Sequence, residues 1–163
     1  MPSFLFILAA LAAEPTIATS SDGTVVGRVL VDAPEAEVRE LLSNPQAVRS
    51  MQPEVRAVQS TPSGSCQVVD VKTDGPLNTL DYKALRCPTT KGWRETLLQS
   101  DDFNALETEW RLTPTPNGTQ VEYRVRTELD MAVPDALVQR GVQKTVGRTL
   151  VELVKRMADR VTH

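Results

Sequence analysis

Arg86 and Glu95 are the charged residues that most need a partner. Strand alternation turns each of them toward an apolar face, beside Trp93 and Gln67. A charge on an inward face must pair or hold something. Such a pair can anchor the head group of an otherwise apolar ligand. At a solvated sheet rim the same two residues would do nothing of note, and both readings stay open. Glu95, Tyr82 and Tyr123 are the groups available for acid or base work. A nucleophilic triad is excluded, because the single histidine is the terminal His163. The glycines form neither a phosphate loop nor a dinucleotide fingerprint, so no cofactor is expected. Two cysteines and one histidine are too few for a metal site, so none is expected. Asp101-Asp102 reads as a hairpin loop rather than a paired-carboxylate site.

The elements that would position these side chains can be read from charge. If residues 64–73 and 80–87 form a hairpin, facing residues have numbers that sum to 153. Asp70 then faces Lys83 and Lys72 faces Asp81. Opposite charges across strands favour that register. It also places Cys66 opposite Cys87. In an oxidising compartment these two would form a disulfide, worth roughly 3 kcal/mol by loop closure; two buried thiols are the alternative. The other face of the hairpin holds Val69, Val71, Leu80, Tyr82 and Ala84, with Gln67 and Arg86 at one end.

A second hairpin turns at Asn117-Gly118, with facing numbers that sum to 233. Glu107 meets Arg126, Glu109 meets Arg124 and Arg111 meets Glu122 on the outer face. Leu106, Thr108, Trp110 and Leu112 meet Thr127, Val125, Tyr123 and Val121 on the inner face. Between the hairpins, residues 93–99 form a strand whose alternation is weak. Turning Arg94 outward lets it meet Glu109 and sends Trp93, Glu95 and Leu97 inward. On that reading Arg86 and Glu95 lie diagonally on neighbouring strands.

The element that must cover this sheet is the helix Pro134 to Val161. Val138, Val142, Val146, Leu150, Leu153, Met157 and Val161 make one apolar stripe along it. It spans roughly 40 Å at 1.5 Å per residue. Gly141 and Gly147 interrupt it, either to make room for a ligand or a close strand or merely to ease packing. Upstream, residues 24–31 read as a first strand. A short helix from Pro34 to Leu42, a break at Asn44-Pro45 and a second short helix to about Met51 follow. Residues 55–60 form another strand.

The chain has 163 residues, enough for one domain, and a formal net charge of −3. That balance argues against nucleic acid as a partner. Residues 4–13 are apolar and uncharged, yet too few to span a bilayer. With Ala10-Leu11-Ala12 as a cleavage site they read as a signal peptide at residues 1–12. The expected location is therefore outside the cytosol, in a bacterial periplasm or secreted. A buried N-terminal strand or helix is the alternative. Residues 14–23 read as a flexible lead-in to a domain at 24–163.

Three features together resemble the START / birch-pollen-allergen-like (SRPBCC) superfamily. These are the element order, the segment VLVDAPEAEVRELLSNPQAVRSMQPEV and the segment FNALETEWRLTPTPNGTQVEYRV, the last similar to the polyketide cyclase and coenzyme Q-binding branch. The resemblance implies an α+β helix-grip fold. A curved seven-stranded antiparallel sheet would wrap the long C-terminal helix, with two short helices after the first strand. It also implies an apolar cavity between sheet and helix. The candidates to line it are Tyr82, Arg86, Trp93, Glu95, Thr108, Trp110 and Tyr123 from the sheet, and Val142 and Val146 from the helix. The expected function is non-catalytic binding of a hydrophobic, lipid- or quinone-like small molecule. A cyclase or hydrolase, or a protein–protein interaction module with a filled core, are the alternatives. The sequence names no protein partner.

Overall fold

The computed structural model describes residues 13–160. The proposed signal peptide, Val161 and His163 lie outside the described residues. The elements run β1 (Thr16–Thr19), β2 (Val25–Val31), α1 (Glu35–Leu42), α2 (Pro45–Ser50), β3 (Val55–Ser63), β4 (Cys66–Asp74), β5 (Thr79–Pro88), β6 (Gly92–Gln99), β7 (Phe103–Thr115), β8 (Gly118–Leu129) and α3 (Asp135–Arg160). All strand pairs are antiparallel, in the order β1-β2-β8-β7-β6-β5-β4-β3. The sheet is curved and does not close, so β1 and β3 are its edges. This is the helix-grip arrangement, with eight strands instead of the expected seven. The additional strand is β1, which falls in the stretch read as a flexible lead-in. Its four residues are exposed, so no apolar alternation marks it; pairing with β2 orders it.

Both hairpin registers hold. Asp70 pairs with Lys83, Lys72 with Asp81 and Gln67 with Arg86. Glu107 pairs with Arg126, Glu109 with Arg124 and Arg111 with Glu122. The ion pairs themselves are more mixed than the register: Arg124 reaches Glu122 at 3.0 Å and Arg126 reaches Glu128 at 3.0 Å. Arg94 faces Glu109 at 3.6 Å, so Trp93 and Glu95 point inward. Cys66 and Cys87 form the expected disulfide across β4 and β5.

Two helix starts differ by a residue, α1 opening at Glu35 and α3 at Asp135, each just after the expected proline. Pro34 caps α1 in extended conformation instead of opening its first turn. Asn44 caps α2, its side chain accepting from the Gln46 N–H at 3.0 Å. Together α1 and α2 carry the chain from β2 across to β3 at the far edge.

The packing of α3 divides in two. From Val146 onward it buries Val146, Thr149, Leu150, Leu153 and Met157. They meet Val25, Val29, Val31, Val38, Leu42, Met51 and Trp110 in the main core. Helix and sheet come close at Gly27, where an added Cβ would stand 2.5 Å from Val146 Cγ1 and 2.7 Å from Leu150 Cδ1. A side chain there would force Val146 and Leu150 to shift. In the first half, Val138 and Val142 are half-buried and Leu137 is exposed. A Cβ added at Gly141 would meet nothing within 4 Å. The helix is thus clamped at one end and stands off the sheet at the other.

Candidate functional site

The gap under the first half of α3 is a cavity of about 460 Å³. That lies within the roughly 300–1,000 Å³ of small-molecule sites. Its apolar wall comes from a separate cluster of Leu80, Phe103 and Leu106, with Tyr82, Leu97, Leu129 and Met131 against it. Val125, Thr127, Leu137, Val138, Gly141 and Val142 continue the lining. The site exists because inward residues of β5, β7 and β8 at this end have no large helix residue to fill the space opposite them.

The inner end of the gap is polar. Tyr82, Thr108 and Tyr123 border both the cavity and a pocket of about 50 Å³ beyond it, which is also lined by Glu95 and Trp110. Gln52 donates to the Tyr123 hydroxyl at 3.1 Å, and the Thr108 hydroxyl donates to Glu95 Oε2 at 3.4 Å. Behind Glu95 lies Arg86, only 1% exposed. Arg86 faces Glu95 directly across β5 and β6, where a diagonal placement was expected. The pairing is continuous from Ala84–Leu97 to Pro88–Trp93, and weak alternation along residues 93–99 leaves this register unfixed in the sequence. The Arg86 Nε stands 3.3 Å from Glu95 Oε1. Its guanidinium also donates to the Leu42 and Ser43 carbonyls at the end of α1 and covers the Trp93 ring at 4.3 Å. The solvated-rim reading of this pair is therefore overturned.

Burial sets the protonation of this end. It raises the Glu95 carboxyl above its ordinary value, although Arg86 and the Thr108 hydroxyl pull the other way. Burial raises the Tyr82 hydroxyl well above its usual value, with the nearby Glu95 charge adding to the effect. Tyr123 is raised for the same two reasons, in that order, against the Gln52 hydrogen bond. Both tyrosines are neutral hydrogen-bonding groups at physiological pH.

Of the residues expected to line a cavity, Tyr82, Thr108, Tyr123 and Val142 line the large one. Glu95 and Trp110 line the small one, where Trp110 stacks on Tyr123 at 3.9 Å. Arg86, Trp93 and Val146 border neither. Arg86 and Trp93 lie behind Glu95, and Val146 is fully buried in the clamped half of α3. Sequence reasoning missed Phe103, Leu129, Leu137, Gln52, Glu54, Arg140 and Lys144. Leu129 continues the alternation of the named β8 residues; Phe103 is out of phase with Leu106 because of a register shift between Phe103 and Ala105, and Leu137 and the polar four carry no pattern. Among the described residues no group of metal-binding side chains is present, and no helix is long and apolar enough to cross a membrane.

Comparison with known proteins agrees with this geometry. The chain resembles a START superfamily protein from Mycobacterium smegmatis at 17% identity, covering 83% of this chain and 97% of that one, with a TM-score of 0.72. It resembles the Zhui aromatase/cyclase from Streptomyces at 18% identity, covering 85% and 94%, with a TM-score of 0.69. Human StAR-related lipid transfer protein 5 matches at 12% identity over 94% and 89%, with a TM-score of 0.70. Identities this low speak for the fold alone. No curated protein matches the chain in sequence. Residues 22–161 match the family described as polyketide cyclase / dehydrase and lipid transport, and the chain belongs to that family.

Proposed function

We propose that this protein binds and carries a hydrophobic small molecule, lipid- or quinone-like, in the cavity between the sheet and the first half of α3. The observation that carries the reading is the open, mainly apolar cavity itself. Burial of apolar ligand surface drives binding at about 25 cal/mol per Å². Tyr82, Thr108 and Tyr123 put neutral hydrogen-bonding groups at the cavity's inner end. The names of similar folds, a lipid transfer protein and an aromatase/cyclase among them, are consistent with an apolar guest. The cavity weighs against an interaction module with a filled core. The disulfide supports an exported protein, with residues 1–12 as its signal peptide.

Glu95 favours a second reading, an enzyme of cyclase or hydrolase type acting on an apolar substrate in the same cavity. A carboxyl raised by burial at the end of a pocket can give or take a proton. Native mass spectrometry and solvent extraction of the purified protein test both readings. Carriage predicts one apolar molecule per chain, recovered unchanged. An apo mass, with no uptake of apolar probes, contradicts it. Conversion of a probe that stops in Glu95→Gln would select the enzyme.

A further inference from the structure

The cavity mouth carries charge that the carrier reading does not use. Arg140 and Lys144 line the mouth from α3, four residues apart on one helix face with Leu137 and Gly141. Both are exposed, and neither has an ion-pair partner among the described residues. The carboxylates at the same mouth are already committed. Glu54 lies 3.6 Å from Arg148, and Asp74 accepts from Arg56 at 2.9 Å. The mouth therefore presents two uncompensated cations beside an apolar wall. The inner end offers no such cation, because Arg86 is buried behind Glu95 and bonded to it and to Leu42 and Ser43.

We propose that the ligand is an anionic amphiphile, with its charged head between Arg140 and Lys144 at the mouth and its apolar tail along Leu80, Phe103, Leu106 and Leu129. This rests on the carrier reading and adds the class of guest and its direction in the cavity. The shared chemistry is a carboxylate or phosphate head on one apolar chain. An anionic head turned inward would meet Glu95 instead of a free cation, so the head stays outside.

The test is calorimetric titration of the full-length protein with dodecanoate, dodecyl phosphate and dodecan-1-ol, which share one tail. At least one anionic ligand should bind about tenfold tighter than the alcohol, as two charge-assisted contacts at an exposed site imply. Which of them gains distinguishes a carboxylate from a phosphate head. The advantage should shrink in about 0.5 M salt, because exposed charges are screened. It should vanish in the Arg140→Gln, Lys144→Gln double variant, which should still bind the alcohol. Equal affinity for all three ligands in the wild type overturns the anionic head and leaves carriage standing, as does a preference that survives in the double variant. Failure of every ligand to bind overturns both the head-group proposal and the carrier reading beneath it.

Discussion

Arg86 keeps its charge inside the sheet because three acceptors and an aromatic face surround it. Glu95 is the ionic one, at 3.3 Å. Replacing it by Gln removes the ionic acceptor and leaves the two backbone carbonyls and Trp93. Burial disfavours the carboxylate and the pairing with Arg86 offsets only part of that, so the expected cost is below the roughly 3–5 kcal/mol of a broken buried pair. A chemical denaturation midpoint measures it. Removing both charges in Arg86→Met with Glu95→Gln should cost less than the sum of the single changes, as coupled sites do.

The pH dependence of that cost has a definite sign. Burial raises the Glu95 pKa in the folded state. The folded protein therefore holds this proton more tightly than the unfolded chain. The resulting stability is present below the unfolded pKa, about 4.3, and is lost as pH rises through the folded value. The stability of wild type over Glu95→Gln should thus be greatest in acid and should decline as pH rises. A difference that grows with pH would mean the carboxylate form is the favoured one.

At the scale of elements, two glycines report on the two halves of α3. Gly27→Ala pushes a methyl into Val146 and Leu150 under the clamped half. It should destabilise by about 1–3 kcal/mol, the range for overpacking. Gly141→Ala meets open space and should stabilise the helix by about 0.5–1 kcal/mol. Thermal unfolding of both variants checks the contrast. The β4–β5 disulfide closes a sequence separation of 21 residues. Changing both cysteines to Ser should cost about 3 kcal/mol in denaturant.

The same elements explain what could be read in advance. Charges at Asp70, Lys72, Asp81 and Lys83, and again along residues 107–111 and 122–126, mark outward faces, so register and inward faces follow by alternation. Cys66 and Cys87 then meet without further assumption. β1 was illegible because an exposed edge strand carries no apolar period. The direct opposition of Arg86 and Glu95 was not legible because alternation along residues 93–99 is too weak to fix the β5–β6 register. Helical period placed Val142 and Val146 on one stripe but could not tell which half of the stripe meets the sheet. Gly27 decides that, through a contact between distant parts of the chain.

Over the whole molecule, an open sheet meets one helix that packs firmly at only one end. That division gives a stable core and an apolar space in the same domain. A guest bound only by the folded state raises stability by about 2.7 kcal/mol at a hundredfold excess over its dissociation constant. Gly141→Leu, which places a side chain into the cavity from the helix, should keep the fold and remove that gain. Two-state unfolding with and without an apolar ligand reads both effects.

The most direct test of the cavity is methyl NMR of the folded protein titrated with an apolar probe. Binding under α3 predicts saturable shifts at Leu80, Leu106, Val125, Leu129, Val138 and Val142, with Val25, Val38 and Leu153 in the clamped core unmoved. Shifts confined to the outer face of β3–β6, or no shifts at any concentration, would contradict it.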